Sequence, residues 1–536
     1  MEAMTVILDD GTRHEVPFDD LGRGTLADFL AAHGFPLNTR CGKRGICNGC
    51  EVAVGEADGA EMNVEKACQR PGAGVTLVKI PGRSRMEHRP QVSETFRIDI
   101  PVAHQPLFEA GPGGDTAVAI DLGTTTVVVM LVDLGSGEVL GTAGGFNEQI
   151  RFGDNVLTRI DIGSDPEVRR QLQEAVTAET IVPLILKACD RAGRSPERLA
   201  GGVIAGNTTM LHLLVGEDPK PLGIAPFTPA FIEGRRMSSG EIGITIPGAE
   251  DRMPIQLLPG IAAFIGADIV AGIYATGMRY DDKPSLLVDI GTNGEIVLQH
   301  EGRLTTCATA AGPAFEGGGL QFGTRARVGA ISRLDLSIDP FRVDADVIGG
   351  GPLAVAAGIC GSAYIDFLAE AREEGLLTMS GRFEKSAWEG IPESHRIIED
   401  DELAVRLAGP NGNGDARVSE VDVAVLLQAK AAIGAGIDTL LEIAGAEAAE
   451  IGRVYLAGGF GMHLDVEHAI EIGLLPNFTA GQVEVVGNTS LAGALLGLID
   501  RGTLDEMEEI RDGAEVVELN LHEGFEDCYI DHLMLP

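Results

Sequence analysis

Aromatic side chains are scarce in this 536-residue chain, at 4% of the residues with a single Trp. Little is left from which to build the stacking platform that holds single-stranded nucleic acid. Positive charge is scarce too. Lys and Arg number 41 against 80 Asp and Glu, a formal net charge of −39, whereas phosphate backbones are bound by Lys and Arg. Nucleic acid is therefore not an expected partner. The acidic surface either keeps the chain solvated or steers a basic partner toward it. A long uncharged apolar run is also lacking. The most apolar long stretch, VAVLLQAKAAIGAGIDTLLEIAGA, carries Lys430, Asp438 and Glu442, which does not suit a membrane span. The opening MEAMTVILDDGTRHEVPF has neither the basic nor the apolar segment of a secretory signal, so the expected location is cytoplasmic. Cysteine is the last shortage. There are eight, and in a reducing cytosol gathered thiols point to metal rather than to disulfides.

Four of the eight gather early. Cys41, Cys47 and Cys50 lie in CGKRGICNGC and Cys68 follows in EKACQR. Three thiolates on a glycine-rich loop with one distant fourth is the arrangement that wraps a [2Fe–2S] cluster. Gly42, Gly45 and Gly49 let such a loop bend and aim backbone N–H groups at sulfur. A four-thiolate zinc site usually comes as two close pairs, and here there is one. The flanks read as strand, Asp-Gly turn and strand in MTVILDDGTRHEVPF, a short helix in TLADFLAAHGF, then strands in CEVAVGEA and GVTLVKIPG. That order resembles the β-grasp ferredoxins, with a first gap closer to the adrenodoxin type. The gap to Cys68 is shorter than is usual there. Residues 1–84 are thus expected to form a [2Fe–2S] ferredoxin-like domain.

Residues 85–115 are punctuated by Gly and Pro and read as a linker long enough to let that domain move. Beyond it, the abundant glycine (72 residues) suits turn-rich α/β architecture. AVAIDLGTTTVVVMLVD and SLLVDIGTNGEIVLQHEGRL each show an apolar strand, Asp-x-Gly-Thr and a second apolar strand. Successive N–H groups and Thr hydroxyls at such a turn form an anion nest, and the carboxylate suits Mg²⁺ held through water. The candidates are Asp121 with Gly123, Thr124, Thr125 and Thr126, and Asp289 with Gly291, Thr292, Asn293 and Gly294. FGDNVLTRI around Asp154 and IGADIVAGI around Asp268 read as a second echo of the same duplication. In GRVYLAGGFGMHLDV a strand runs into Gly458, Gly459 and Gly461, which permit close approach to a flat ligand.

This last element resembles the adenosine motif of the actin, sugar-kinase and heat-shock-chaperone ATPases, and the two hairpins resemble their phosphate motifs. VIAGNTTMLHLL, with Asn207 and Thr208 as nucleotide contacts, resembles the first connecting helix of that superfamily. GNTSLAGALLG resembles the second. The implied fold class is α/β with an α+β N-terminal domain: a β-grasp ferredoxin, then a duplicated actin-like (ribonuclease-H-like) ATPase core over residues 116–536, with lobes of about 116–283 and 284–536.

A ferredoxin joined to such a core is similar to the reductive activators of corrinoid proteins. Four segments carry that resemblance: the cluster loop, CATAAGPAFEGGGL, LLQAKAAIGAGIDTLL and the closing EGFEDCYIDHLMLP. Some of these activators have a further module before the core, for which this chain has little room. The resemblance implies ATP-dependent return of Co(II) corrinoid to Co(I), with a corrinoid protein as partner and an upstream electron donor. Cys41, Cys47, Cys50 and Cys68 would carry the electron, Asp121 and Asp289 would manage Mg²⁺, and Gly458, Gly459 and Gly461 would seat the adenosine. A potential gap of about 200 mV opposes a one-electron transfer by roughly 5 kcal/mol, a load that ATP can carry. The oligomeric state stays open, a homodimer included.

Other residues read less sharply. Asp154 and Asp268 suit either a hydrolytic water or Mg²⁺, or a helix cap. Glu316 reads first as a solvated loop carboxylate, the alternative being an approach to the nucleotide or the partner, and Lys430 as an exposed lysine, the alternative being one that faces the base or ribose. Cys189, Cys307, Cys360 and Cys528 read as inert small hydrophobes. Three rivals are weaker: a small-molecule kinase, for which only Asp154 offers a catalytic base; an ATP-driven donor to another low-potential acceptor, such as a 2-hydroxyacyl-CoA dehydratase; and a redox sensor or binding module that uses nucleotide without turnover, against which Asp121 and Asp289 argue.

Overall fold

The computed structural model describes residues 3–8, 11–17, 24–37, 39, 43, 45, 50–55, 62–72, 74–81, 84, 95–98, 100–111, 114–153, 155–248, 253–353, 356–399, 402–408, 416–459 and 464–536. Cys41, Cys47, Asp154 and Gly461 lie outside the described residues.

The N-terminal unit is a five-stranded mixed sheet. Its spatial order is Arg13–Pro17, Ala3–Ile7, Leu77–Lys79, Glu51–Gly55 and Asn63–Lys66, with the first and last strands of the chain order parallel at its centre. This is the β-grasp order. Strand Ala3–Ile7 alternates so that Met4 and Val6 turn inward. Helix Leu26–Ala32 starts at a Thr25–Asp28 capping box and lays Leu26, Phe29 and Leu30 on the same core, which also contains Cys50 and Cys68.

The linker expected over 85–115 is not free along its length. Arg97 N–H donates to Val486 O at 3.2 Å, Gln105 to Ile499 O at 3.0 Å and Leu107 to Leu498 O at 2.9 Å. Phe108, 4% exposed, packs where a side chain on Gly201 would stand. Residues 95–98 and 100–108 therefore lie as a strap along the core. These partners lie hundreds of residues downstream, so local composition does not reveal them.

The core is duplicated. Strands Thr116–Leu122, Thr126–Asp133 and Val139–Phe146 form an antiparallel meander whose first strand pairs in parallel with Leu199–Gly206. Strands Ser285–Ile290, Gly294–His300 and Arg303–Thr309 repeat it, with Arg453–Ala457 as the parallel neighbour and Val483–Gly487 beyond. The leading strands read as nearly continuous apolar runs because both faces are covered. Two further three-stranded sheets, one around Ala330–Ile338 and one around Glu402–Arg406, are inserted in the second half.

Helices Ala267–Thr276 and Thr489–Ile499 cross between the halves. A Cβ on Gly493 would lie 2.3 Å from Ala271 Cβ, and one on Gly272 would lie 2.9 Å from Thr489 Oγ1, so glycine sets the closeness of the crossing. Helix Thr208–Val215, expected as the first connecting helix, packs instead on Pro166–Val176. Its likeness to GNTS is a shared Asn cap, since Asn207 and Asn488 both accept from the N–H three residues on. The echo between FGDNVLTRI and IGADIVAGI is likewise not one of position: Val156–Gly163 lies beside Pro166–Val176, while Ala267–Thr276 is the crossing helix. Helix Glu420–Ala444 is long and apolar enough to cross a membrane, yet it runs mostly buried through the core of the second half.

Candidate functional site

Each hairpin turns on a glycine. Gly123 N–H donates to Thr126 O at 3.0 Å, and a Cβ there would stand 2.5 Å from that oxygen. Gly291 N–H donates to Asn293 O at 2.9 Å, and a Cβ at Gly291 would meet nothing nearer than Glu316 Oε1 at 3.8 Å. The second turn thus faces open space.

The two aspartates are surrounded differently. Asp121 Oδ2 accepts from Asn488 Nδ2 at 2.8 Å and Oδ1 from Ser490 Oγ at 2.7 Å. Burial pushes its carboxyl above the ordinary range, and these donors oppose that. Asp289 is pushed up to about 7 by burial and by the Asp121 charge. Asp268, at the start of the crossing helix, is also raised to about 7, by burial first and then by Asp289. Glu295 stands directly across the hairpin from Asp289 and is driven well above its usual range by burial, Asp268 and Asp289. Sequence reasoning missed Glu295. The signal was present: a turn over 291–293 makes 289 and 295 cross-strand partners. Among the described residues no three of these carboxylates converge closely enough to chelate an ion directly.

Glu316 is no solvated loop residue. It accepts from Thr125 Oγ1 and Thr292 Oγ1, both at 3.3 Å, and pairs with Arg325 Nη2 at 3.0 Å. Arg325 also donates to Thr125 Oγ1 at 3.0 Å. One ion pair therefore clasps the two hairpins. The remaining candidates divide. Asn207 Nδ2 donates to Thr124 Oγ1 at 2.8 Å, orienting the first turn. Thr208 is buried with its hydroxyl on Ala262 O at 2.6 Å, and so serves the loop rather than the cleft. A Cβ on Gly294 would strike Thr309 and Ile433, which makes that glycine a packing position. Gly458, at φ +93°, brings the end of strand Arg453–Ala457 against the second hairpin, where a Cβ would stand 2.8 Å from Asp289 Oδ1. Gly459 follows it, exposed.

A cavity of about 360 Å³ opens beside Asn293, lined chiefly by Val156, Leu157, Phe227, Phe264, Ile265 and Phe525. A sugar pocket needs converging polar groups and a carboxylate base; this lining is largely apolar.

Residues 283–536 match the family described as the C-terminal domain of RACo, the ASKHA domain, and residues 116–281 match the RACo middle region. The "Corrinoid activation enzyme RamQ" of Eubacterium limosum is 30% identical over 553 residues, spanning 89% of this chain and 90% of that protein. The chain belongs to the family of reductive activators of corrinoid proteins. A Methanosarcina barkeri relative, the "[Co(II) methylated amine-specific corrinoid protein] reductase", is 28% identical over 73% of this chain and 72% of its own length. The solved structure of a "Reductive activator for corrinoid,iron-sulfur protein" superposes with a TM-score of 0.73 at 30% identity, covering 99% of this chain and 98% of that one. The duplicated core is accordingly an actin-like, sugar-kinase-type fold.

Proposed function

We propose that the chain uses ATP to drive one electron from a [2Fe–2S] cluster onto the Co(II) of a partner corrinoid protein, regenerating Co(I). The observation that carries this reading is the second hairpin. Asp268, Asp289 and Glu295 are raised by burial and then by neighbouring carboxylates, Asp121 among them, a like-charge group that a divalent cation would relieve. It faces a turn open enough for phosphate. Mg²⁺ held there through water suits carboxylates that do not converge on one point.

The residues fit a cluster as well. Cys50 and Cys68 are both buried in the N-terminal core, and Ala67 N–H donates to Cys50 O at 3.1 Å. Gln69 Nε2 lies 3.5 Å from Cys68 Sγ, a donor suited to a ligating thiolate. Gly45, at φ +74°, takes the bend for which a loop around a cluster calls. Cys41 and Cys47 would complete the set. When bound, the cluster supplies a one-electron donor and MgATP the free energy to drive it. The chain's own part is to hold the phosphates between Thr124–Thr126 and Gly291–Asn293 and to seat adenosine against Gly458, Gly459 and Gly461. Closure of the two halves would transmit the nucleotide state to the bound partner. Domains 1–84 and 116–536, the linker between them and a cytoplasmic setting belong to the same proposal.

The test is anaerobic. Reduced protein mixed with a Co(II) corrinoid protein is followed at the Co(I) absorption band, with and without MgATP. Co(I) that forms only with MgATP supports the proposal. A reducible cluster and steady ATP turnover without Co(I), across several corrinoid proteins, would direct the electron to another acceptor.

A further inference from the structure

The closing helix Phe525–His532 lies along the long helix Glu420–Ala444 and carries two metal-ligating side chains at i and i+4, Cys528 and His532. Across from them stands Asp438, with His532 Nε2 and Asp438 Oδ2 2.8 Å apart. Cys528 Sγ, the His532 ring nitrogen and an Asp438 oxygen all lie within 4.8 Å of one another. We propose that Asp438, Cys528 and His532 bind a single Zn²⁺ ion that pins the C-terminal helix to the core helix.

The surroundings are built for it. Gly434 stands one turn before Asp438, and a Cβ there would lie 2.6 Å from His532 Nδ1, so the missing side chain is what admits the imidazole. The strand of chain that follows is anchored independently. Leu535 N–H donates to Met379 O at 2.7 Å, Lys430 Nζ to Met534 O at 2.7 Å and Arg372 Nε to Pro536 O at 2.9 Å. Lys430, expected on the surface, is 1% exposed for this reason, and burial lowers it to about 8. The three ligands are thus held in place before any ion arrives. Tetrahedral Zn²⁺ with bonds of about 2.0–2.3 Å puts its ligand atoms about 3.3–3.7 Å apart, a change of well under a rotamer from the spacing present. One nitrogen, one sulfur and one oxygen suit the borderline softness of Zn²⁺. All three residues are half-buried, which leaves a fourth position to water. Burial first, then Asp438, Asp531 and Glu442, push the Cys528 thiol up to about 11, so the ion binds by displacing that proton.

The full chain, with its iron–sulfur site loaded, is titrated with Co²⁺ as the spectroscopic stand-in. A thiolate-to-cobalt charge-transfer band that saturates at one equivalent and is displaced by Zn²⁺ is the expected result. Cys528→Ser abolishes the band, Asp438→Asn weakens binding at least about tenfold, and Cys41→Ser leaves it intact, which separates the site from the iron–sulfur loop. Zn²⁺ also raises the melting temperature of the wild type but not of Cys528→Ser. No band, a band that survives Cys528→Ser, or one lost with Cys41→Ser would overturn the proposal. Should Cys528→Ser not fold, Asp438→Asn carries the decision: unchanged affinity in it overturns the site.

Discussion

The two Asp-x-Gly-Thr hairpins share a motif and differ in their electrostatics. At the first, Asp121 is already satisfied, its two oxygens taken by Asn488 and Ser490 from the far end of the chain. At the second, Asp289 has Glu295 across the strand; burial and the Asp121 charge raise Asp289, while burial, Asp268 and Asp289 raise Glu295. Duplication copied the turn and not its neighbours. The first hairpin ties the crossing helix to the strand through hydrogen bonds; the second gathers buried carboxylates on which the Asp121 charge also acts. A cation that relieves the second while the clasp of Glu316 and Arg325 spans both would couple ligand state to the angle between halves.

The largest break in that comparison is expected from Asp289→Asn. Mg²⁺-dependent ATP turnover should fall by about 10²–10³-fold, the usual loss when a group that acts on transferring charge is removed. The same variant should melt higher than wild type without metal at pH 8, because one member of a like-charge group is gone. Steady-state turnover and metal-free melting curves read the two effects. A loss of turnover with a lowered melting point would place Asp289 with Asp121 as a structural joint.

Acidity sharpens the contrast next. Asp268 and Asp289 have folded values of about 7, above the 3.8 of the free side chain. The native state therefore holds extra protons between about pH 4 and 7, and the metal-free fold loses stability as pH rises through that window. Protons and Mg²⁺ compete there, so Mg²⁺ affinity should fall by about tenfold per pH unit below pH 7 for each proton displaced. Calorimetric titration at pH 6, 7 and 8 measures it, and flat affinity would remove the like-charge account.

The turns were legible because everything they need is local: Asp-x-Gly-Thr, an apolar strand on either side and, at Gly123, a position with no room for a Cβ. Glu295 was legible in principle from register alone. What surrounds Asp121 was not, since Asn488 and Ser490 arrive from more than three hundred residues away. Lys430 failed for the same reason, its burial being made by the last three residues of the chain. The strap over 95–98 and 100–108 has the composition of a linker because its pairing is through backbone, which composition does not report. The wrong connecting helix came from reading GNTT and GNTS as equivalents, when what they share is a cap.

A smaller effect tests the first hairpin as a joint. Asp121→Ala leaves the Asn488 amide and the Ser490 hydroxyl facing a void, and a buried donor without a partner costs about 1–3 kcal/mol. Denaturant midpoints should fall for Asp121→Ala, whereas Asp289→Asn moves them the other way in metal-free buffer at pH 8. Equal shifts of one sign would erase the distinction between the hairpins.

The smallest effect separates the two Asn caps. Asn207 and Asn488 each accept from the N–H three residues on, so Ala at either costs about 1 kcal/mol of helix capping. Beyond that they diverge. Asn207 orients Thr124 within its own half, whereas Asn488 reaches Asp121 in the other half and donates its own N–H to Thr95 O of the strap at 3.1 Å. Asn488→Ala removes the Asp121 bond and so should add the penalty of a buried carboxylate with one donor fewer. Its denaturation midpoint should therefore drop further than that of Asn207→Ala. The double variant Asn488→Ala, Asp121→Ala should cost less than the sum of the two single changes, because both break the same contact. Additivity would mean that the hairpin and the crossing helix do not communicate through this bond, and the strap would then end at the helix cap without reaching Asp121.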